Sequence, residues 1–439
     1  MENKHTMSDL YQMQSLPLSA KISMTARRIN EWVNEFGEDG VYLSFSGGKD
    51  STVLGHIIRE VCGYKNIPFV FVDVPTQYPE LKQFAQTFDN LVILKPKISF
   101  AQVCEKYGFP MISKEVSNCV SGARKYVKYL DSQKSNNTIL TDRQTDRQTD
   151  RQTVPYACYM ADLLGIDRRI NKQNEQYKSL QMGVIPPSGS EYRLRRLNGE
   201  LTDSKGNYSQ FNQEKYKFFL DAPFEISDMC CMEMKHKPAF AYEKRTKRKP
   251  ILAIMASEST MRTQKWLQDG CNAFNATRPH SNPMSFWTDQ DVLLYIKENA
   301  KRMIEVRMSD DKMFYGNRIV YKKTGASVEN TEFYFPICSV YGDVVTDYEA
   351  MGQCENQMSF ADFGIFDRER PLLKTTGCQR TGCVLCGFGC HLEKESRFLR
   401  LKETHPKFHN LLYILKNNGV TYAEAIDWVN EHGNMNIKY

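Results

Sequence analysis

Five β-prone residues, Val41-Tyr42-Leu43-Ser44-Phe45, run directly into Ser46-Gly47-Gly48-Lys49-Asp50-Ser51 and then into a helical pattern through Val53, Leu54, Ile57, Ile58 and Val61. A strand, a glycine turn and a helix in that order restrict the fold more than any other stretch of the chain. Gly47 and Gly48 let backbone approach an anion closely, the helix N-terminus favours negative charge, and Lys49 adds a full positive one. Ser46 and Ser51 can donate to phosphate or sulfate oxygens, while Asp50 can cap the helix or help to hold Mg²⁺. The spacing differs from the Gly-x-x-x-x-Gly-Lys-Ser/Thr nucleotide loop. An ordinary strand-to-helix turn is the plainer alternative.

The neighbouring segments extend this pattern. Apolar residues at helical spacing predict a helix over Leu18 to Phe36, Phe69 to Asp73 reads as a buried strand, Pro79 to Phe88 as a helix and Leu91 to Leu94 as a third strand. Such alternation predicts βαβ units in an α/β fold, a parallel sheet flanked by helices with its ligand loops at one edge. Ile251 to Ile254 resumes the sheet pattern, a helix follows Ser257, and Thr288-Asp289-Gln290-Asp291 spells a capping box with Asp in place of Glu. A helical tail runs from Ser396 onward.

The pattern divides the chain into four stretches: 1–130 as the first part of an α/β domain, 131–217 as a polar insertion, 218–300 as the completing part, and 301–439 as a cysteine-rich helical region. Within the insertion, Thr141-Asp142-Arg143-Gln144 repeats in tandem to Thr153, and such a repeat cannot build a core. The unit GACA, read in triplets, encodes Asp-Arg-Gln-Thr, so the peptide is consistent with a tetranucleotide tract prone to slippage; a drifting linker is the alternative, and sequencing the tract across many colonies separates the two. The net charge of +6 is a mild basic excess, and no apolar run approaches a membrane span. The start is polar and mixed in charge, so a cytoplasmic protein is expected. Thirteen cysteines without an export signal direct attention to metal, cluster or thiol chemistry rather than disulfides.

The Ser46 to Ser51 loop resembles the PP-loop of the adenine-nucleotide alpha-hydrolase superfamily, and the strand ending at Asp73 with Tyr78-Pro79-Glu80 is similar to its phosphoadenosine phosphosulfate reductase branch. The resemblance covers roughly 19–120 and 224–405. It implies that the loop holds the phosphate or sulfate end of an adenine nucleotide, with Asp73 at a base or ribose contact or else capping its own loop. Glu258-Ser259-Thr260-Met261-Arg262 resembles an element whose arginine reaches the nucleotide's anionic groups, a bidentate task that suits Arg262. Lys49 and Arg262 are therefore the expected catalytic pair. Lys114, in Ile112-Ser113-Lys114-Glu115, is either a ligand contact or a solvated lysine.

Cys230-Cys231, with Lys235 and Pro238 after it, resembles the Cys-Cys-x-x-Arg-Lys-x-x-Pro element of iron–sulfur sulfonucleotide reductases, although Met234 replaces the arginine. Gly382-Cys383-Val384-Leu385-Cys386 resembles their Gly-Cys-x-x-Cys. The resemblance thus implies a [4Fe–4S] cluster on Cys230, Cys231, Cys383 and Cys386, with Lys235 offsetting its charge. Two alternatives stand beside it: a zinc or cluster site on Cys378, Cys383, Cys386 and Cys390, and buried apolar thiols. Cys62, Cys104, Cys119, Cys158, Cys271, Cys338 and Cys354 read as packing residues. His391 reads as a capping or core histidine.

Three functions follow. The first is a reductase-like enzyme binding phosphoadenosine phosphosulfate, adenosine phosphosulfate or ATP beside the cluster and served by an electron donor protein. No cysteine lies between Cys390 and Tyr439 to act as the tail nucleophile of such reductases, so Cys378 or Cys390 would have to serve. The second is ATP- and Mg²⁺-dependent sulfur transfer to DNA or tRNA from a sulfur donor. Arg193, Arg195 and Arg196, and Lys244, Arg245, Lys247, Arg248 and Lys249, would then follow a nucleic-acid backbone or else form solvated faces. The third is a non-catalytic nucleotide or redox sensor.

Overall fold

A computed structural model describes residues 3–141, 189–299, 306–309, 312–315, 318–321, 336–350 and 372–439. Helices α1 (Met7–Ser15) and α2 (Leu18–Phe36) precede strand β1 (Val41–Phe45), which α3 (Lys49–His56) and β2 (Phe69–Val72) follow. Next come α4 (Pro79–Ala85), β3 (Leu91–Leu94), α5 (Phe100–Tyr107), β4 (Met111–Ile112) and α6 (Lys114–Thr141). Farther along lie β5 (Lys249–Leu252), β6 (Asn272–Ala273) and β7 (His280–Ser281). The chain divides into two compact units, Met1–Ser99 with Met232–Val384, and Phe100–Cys231 with Leu385–Tyr439.

The first unit is built on a six-stranded sheet in the order β3-β2-β1-β5-β7-β6. All its neighbours run parallel except β6, which is antiparallel to β7. The α/β reading is therefore correct. The register pairs Leu43 with Phe69 on one side and with Ile251 on the other, and all three are fully buried. Each such side chain contributes roughly 1.5–3 kcal/mol by leaving water. Helix α2 has the predicted bounds because Leu18, Thr25, Ile29, Trp32 and Val33 return to one buried face. It stops at Gly37, whose positive φ of 77° lets its N–H donate back to the Val33 carbonyl.

Helix α4 ends at Ala85 rather than Phe88. There the Thr87 and Phe88 amides donate to the Phe84 and Ala85 carbonyls at 3.1 Å, a tighter turn. That turn carries the Phe88 ring to within 4.7 Å of the Phe45 ring. Thr288 and Asp291 do cap the helix Asp289–Asn299: the Thr288 amide donates to Asp291 Oδ2 at 2.8 Å, and the Asp291 amide to the Thr288 hydroxyl. Asp291 also accepts from the buried Lys21 ammonium at 2.6 Å. β8 (Val306–Ser309), β9 (Lys312–Tyr315) and β10 (Arg318–Tyr321) form a three-stranded antiparallel sheet, and β11 (Val344–Thr346) and β12 (Leu373–Thr375) form a separate antiparallel pair.

In the second unit α6 lies against the helix Ser190–Leu197, and β4 pairs in parallel with β13 (Gly387–Phe388). Its core contains Phe109, Leu197, Phe219, Phe224 and Tyr422, all fully buried, with the Phe109 and Tyr422 rings stacked at 4.6 Å. Much of 189–217, which composition places in a polar insertion, is thus packed. Leu197, Leu201 and Tyr216 are buried there, whereas Tyr192, Tyr208 and Phe211 stay exposed. The tetrapeptide repeat beyond Thr141 lies outside the described residues, as do Cys158 and Cys354. No described helix is long and apolar enough to cross a membrane.

Candidate functional site

In the first unit β1 leads through α3 to β2 on one side, while β5 lies on the other, so the strand order reverses between β1 and β5. Such a reversal opens a crevice beyond the carboxyl ends of the two strands. The loop after β1 is Ser46 to Gly48, and the loop after β5 leads to Glu258 and Arg262. Gly47 has φ of +73°, and a Cβ on it would stand 3.0 Å from the Leu81 carbonyl oxygen, so the turn requires glycine. The loop is held from within. Ser51 Oγ accepts the Ser46 amide at 3.2 Å and lies 3.0 Å from Ser46 Oγ, and Ser46 Oγ accepts the Gly48 amide at 3.2 Å. Thr52 adds a hydroxyl donated to the Gly48 carbonyl at 3.0 Å.

Lys49, only 2 % exposed, directs its ammonium to Asp50 Oδ1 at 2.8 Å and to Asp289 Oδ1 at 2.6 Å. Burial alone would depress its pKa, but the two carboxylates prevail and hold it above the ordinary lysine value. Its backbone N–H donates to Tyr341 Oη at 3.2 Å, and that oxygen is 2.6 Å from Thr381 Oγ1.

On the β5 side, Glu258 accepts the Met255 amide at 3.0 Å, binds Arg262, and takes Arg380 at 3.1 Å. Burial and the neighbouring Arg380 lower the pKa of Arg262, with Asp50 opposing. Lys49, Asp50, Glu258 and Arg262 thus form one charged group, joined by Asp289 and Arg380. Three cations face three carboxylates, and an arriving phosphate or sulfate can take over the cations. Asp73 sits just past β2 with its carboxylate 2.6 Å from Lys82 Nζ, an ion pair that the sequence does not announce.

The remaining expected residues lie elsewhere. Lys114 is the first residue of α6 in the second unit, and Lys235 lies in a π-helical turn, Met232–His236, of the first. Cys230, Cys231 and Cys386 belong to the second unit and Cys383 to the first; all four are half-buried. Cys230 and Cys386 both raise the pKa of the buried Tyr422, after burial itself and together with Cys390 and Cys104. Arg397 donates to the Cys386 carbonyl at 2.9 Å and brings a positive charge near the Cys386 and Cys390 thiols. The donor chemistry suits an iron–sulfur cluster. Among the described residues no group of three or more His, Cys, Asp or Glu side chains is placed to hold a metal ion.

Cys390 is a poor candidate for the attacking nucleophile. Its thiol lies 3.0 Å from the Gly387 carbonyl, and burial, against the pull of Arg397, raises its pKa to about 12. Of the described singletons, Cys104, Cys119, Cys271 and Cys338 are buried, while Cys62 is only half-buried. Among the basic clusters, Arg196 is engaged with Glu115 and the Phe211 carbonyl. Lys244 and Arg245 occupy the last turn of the helix Lys237–Thr246, where they complement its dipole.

Sequence reasoning missed Tyr341, Thr381, Arg380 and Asp289. Asp289 had a signal, since it stands inside the capping box. Arg380 and Thr381 lie between Cys378 and Cys383, where cysteine spacing drew the attention. Tyr341 had none.

Residues 40–157 match the phosphoadenosine phosphosulfate reductase domain family. No curated protein and no solved structure gives a match.

Proposed function

We propose that the chain, whose residues 40–157 match the phosphoadenosine phosphosulfate reductase domain family, is an enzyme that binds an adenine nucleotide at the Ser46 to Ser51 loop and carries out sulfur or redox chemistry on it. The observation that carries this reading is the convergence of Lys49, Arg262 and Arg380 at the β1/β5 reversal of the sheet. In it, the loop amides and Lys49 hold the phosphate or sulfate end, and Arg262 exchanges Glu258 for the ligand's anionic oxygens. Asp50 and Asp289 keep the ammonium oriented until the anion arrives. In the ATP form of the reaction Asp50 would turn from Lys49 to Mg²⁺.

The same reading assigns Cys230, Cys231, Cys383 and Cys386 to a [4Fe–4S] cluster, supported by the donor set and the family's cysteine elements. Such a cluster, when bound, supplies a compact redox-active or electrostatic centre.

A second reading, ATP-dependent sulfur transfer to nucleic acid, is favoured by one observation. Cys390, which could stand in for the reductase's attacking thiolate, is held protonated by burial. Anaerobic purification followed by iron and acid-labile sulfide analysis, beside Cys383→Ala, tests the cluster. Sulfite from phosphoadenosine phosphosulfate marks the reductase, and pyrophosphate from ATP marks sulfur transfer. Binding of either nucleotide without turnover would leave the sensor.

A further inference from the structure

The position over the phosphate loop is taken by the chain's own hydroxyls. A Cβ built on Gly48 would meet Tyr341 Oη at 3.1 Å and Thr381 Oγ1 at 3.3 Å, so both stand on the glycine face through which an anion would approach. Tyr341 Oη accepts the Lys49 N–H, and its ring is 2 % exposed. The first amides of a helix have no partner within the helix, and they are what an anion binds. A phosphate oxygen and the Tyr341 hydroxyl therefore compete for one donor.

Tyr341 reaches the loop from a segment fastened to the strand that follows it. The Cys378 amide donates to the Val340 carbonyl at 2.8 Å, the Gly377 amide to the Tyr341 carbonyl at 2.9 Å, and the Thr376 amide to the Asp343 carbonyl at 2.9 Å. With β11 and β12 paired antiparallel, these residues form a hairpin that carries Tyr341 on one arm and Arg380 and Thr381 just beyond the other. Arg380 reaches Glu258, the carboxylate that also holds Arg262. One hairpin thus covers the loop amide and loads the acid opposite it.

We propose that Tyr341, braced by Thr381, is a stopper that fills the anion position of the ligand-free chain, and that a nucleotide's phosphate or sulfate enters by displacing it. The proposal rests on the reading of the loop as a nucleotide site. Displacement removes Tyr341 from the Lys49 amide and loosens the hairpin, so that Arg380 is released from Glu258 to meet the incoming charge.

Calorimetric titration of the full chain with inorganic pyrophosphate and with ATP tests it, using wild type, Tyr341→Phe, Thr381→Val and Lys49→Ala. Tyr341→Phe leaves the Lys49 amide without its acceptor in the ligand-free state, so both probes should bind about three- to tenfold more tightly. Thr381→Val should act in the same direction more weakly, and it carries the test if Tyr341→Phe fails to fold. Hydrogen exchange over 338–346 and 373–381 should rise when wild type is saturated. Unchanged or weaker binding in both variants, with binding still weakened by Lys49→Ala, overturns the stopper and leaves the nucleotide site standing. Failure of every form to bind either probe overturns both.

Discussion

The Lys49 ammonium lies 2.6 Å from the carboxylate of Asp289, a residue 240 positions downstream, and 2.8 Å from that of its neighbour Asp50. Asp289 is half exposed, Lys49 is not, so the asparate side can yield to an incoming anion while the lysine stays in place. Asp289→Asn removes one competitor for the ammonium and should tighten pyrophosphate binding by about two- to fivefold, the scale of a partly exposed ion pair. Lys49→Ala should weaken it by about tenfold or more, because a charge-assisted contact is lost and two carboxylates remain facing the anion. Calorimetry reads both, and equal affinities in the two variants would remove Lys49 from the site.

Arg262 and Arg380 share Glu258 but differ in burial, with side-chain exposures of 41 % and 64 %. The more buried guanidinium has more to gain from a ligand anion. Arg262→Ala should therefore cost about tenfold in nucleotide affinity and Arg380→Ala clearly less. Arg262→Lys should recover only part, since a point charge cannot make two parallel bonds. A full recovery by lysine would show that charge alone is used.

Lys21 and Asp291 form an ion pair at 2.6 Å with side-chain exposures of only 2 % and 6 %. Lys21→Met strands a buried carboxylate and should cost about 3–5 kcal/mol in denaturant melts. Asp291 also accepts from Thr288, so the helix carrying Asp289 should fray at its start. Lys21→Met with Asp291→Asn keeps a cap acceptor without the charge and should restore most of the loss. Equal melts for Lys21→Met and wild type would mean that water reaches the pair.

The parallel strands and α2 were legible because their signal is local: alternating or helical runs of apolar residues, with Gly37 and Pro79 as punctuation. The loop was legible because its residues are consecutive. Tyr341 was not, since nothing in its own neighbourhood marks a hydroxyl that will meet an amide nearly 300 positions earlier. The unit breaks were hidden for a related reason. Two of the three fall between Cys231 and Met232 and between Val384 and Leu385, inside cysteine elements that read as continuous, and the third, between Ser99 and Phe100, falls within a stretch that reads as one domain part. Asp291 shows the limit in one residue: its capping role follows from a four-residue pattern, whereas its salt bridge to Lys21 depends on how α2 packs.

The buried thiols give the fold an alkaline signature. Burial raises the pKa of Cys104 and of Cys390 from the ordinary 9.0 to about 12. Each thiol therefore ionises earlier in the unfolded chain than in the folded one, and the unfolded chain sheds its proton first as pH rises. Their contribution to stability is complete below pH 9.0 and is lost progressively as pH climbs toward about 12. Melting midpoints of the metal-free protein should accordingly fall above pH 9, and Cys390→Ala should make that fall shallower than wild type. At pH 8 the native Cys390 should also alkylate far more slowly than the half-buried Cys378, as mass spectrometry of a timed reaction would show. Rapid alkylation of Cys390 would place its thiol in solvent and return it to consideration as the attacking thiolate.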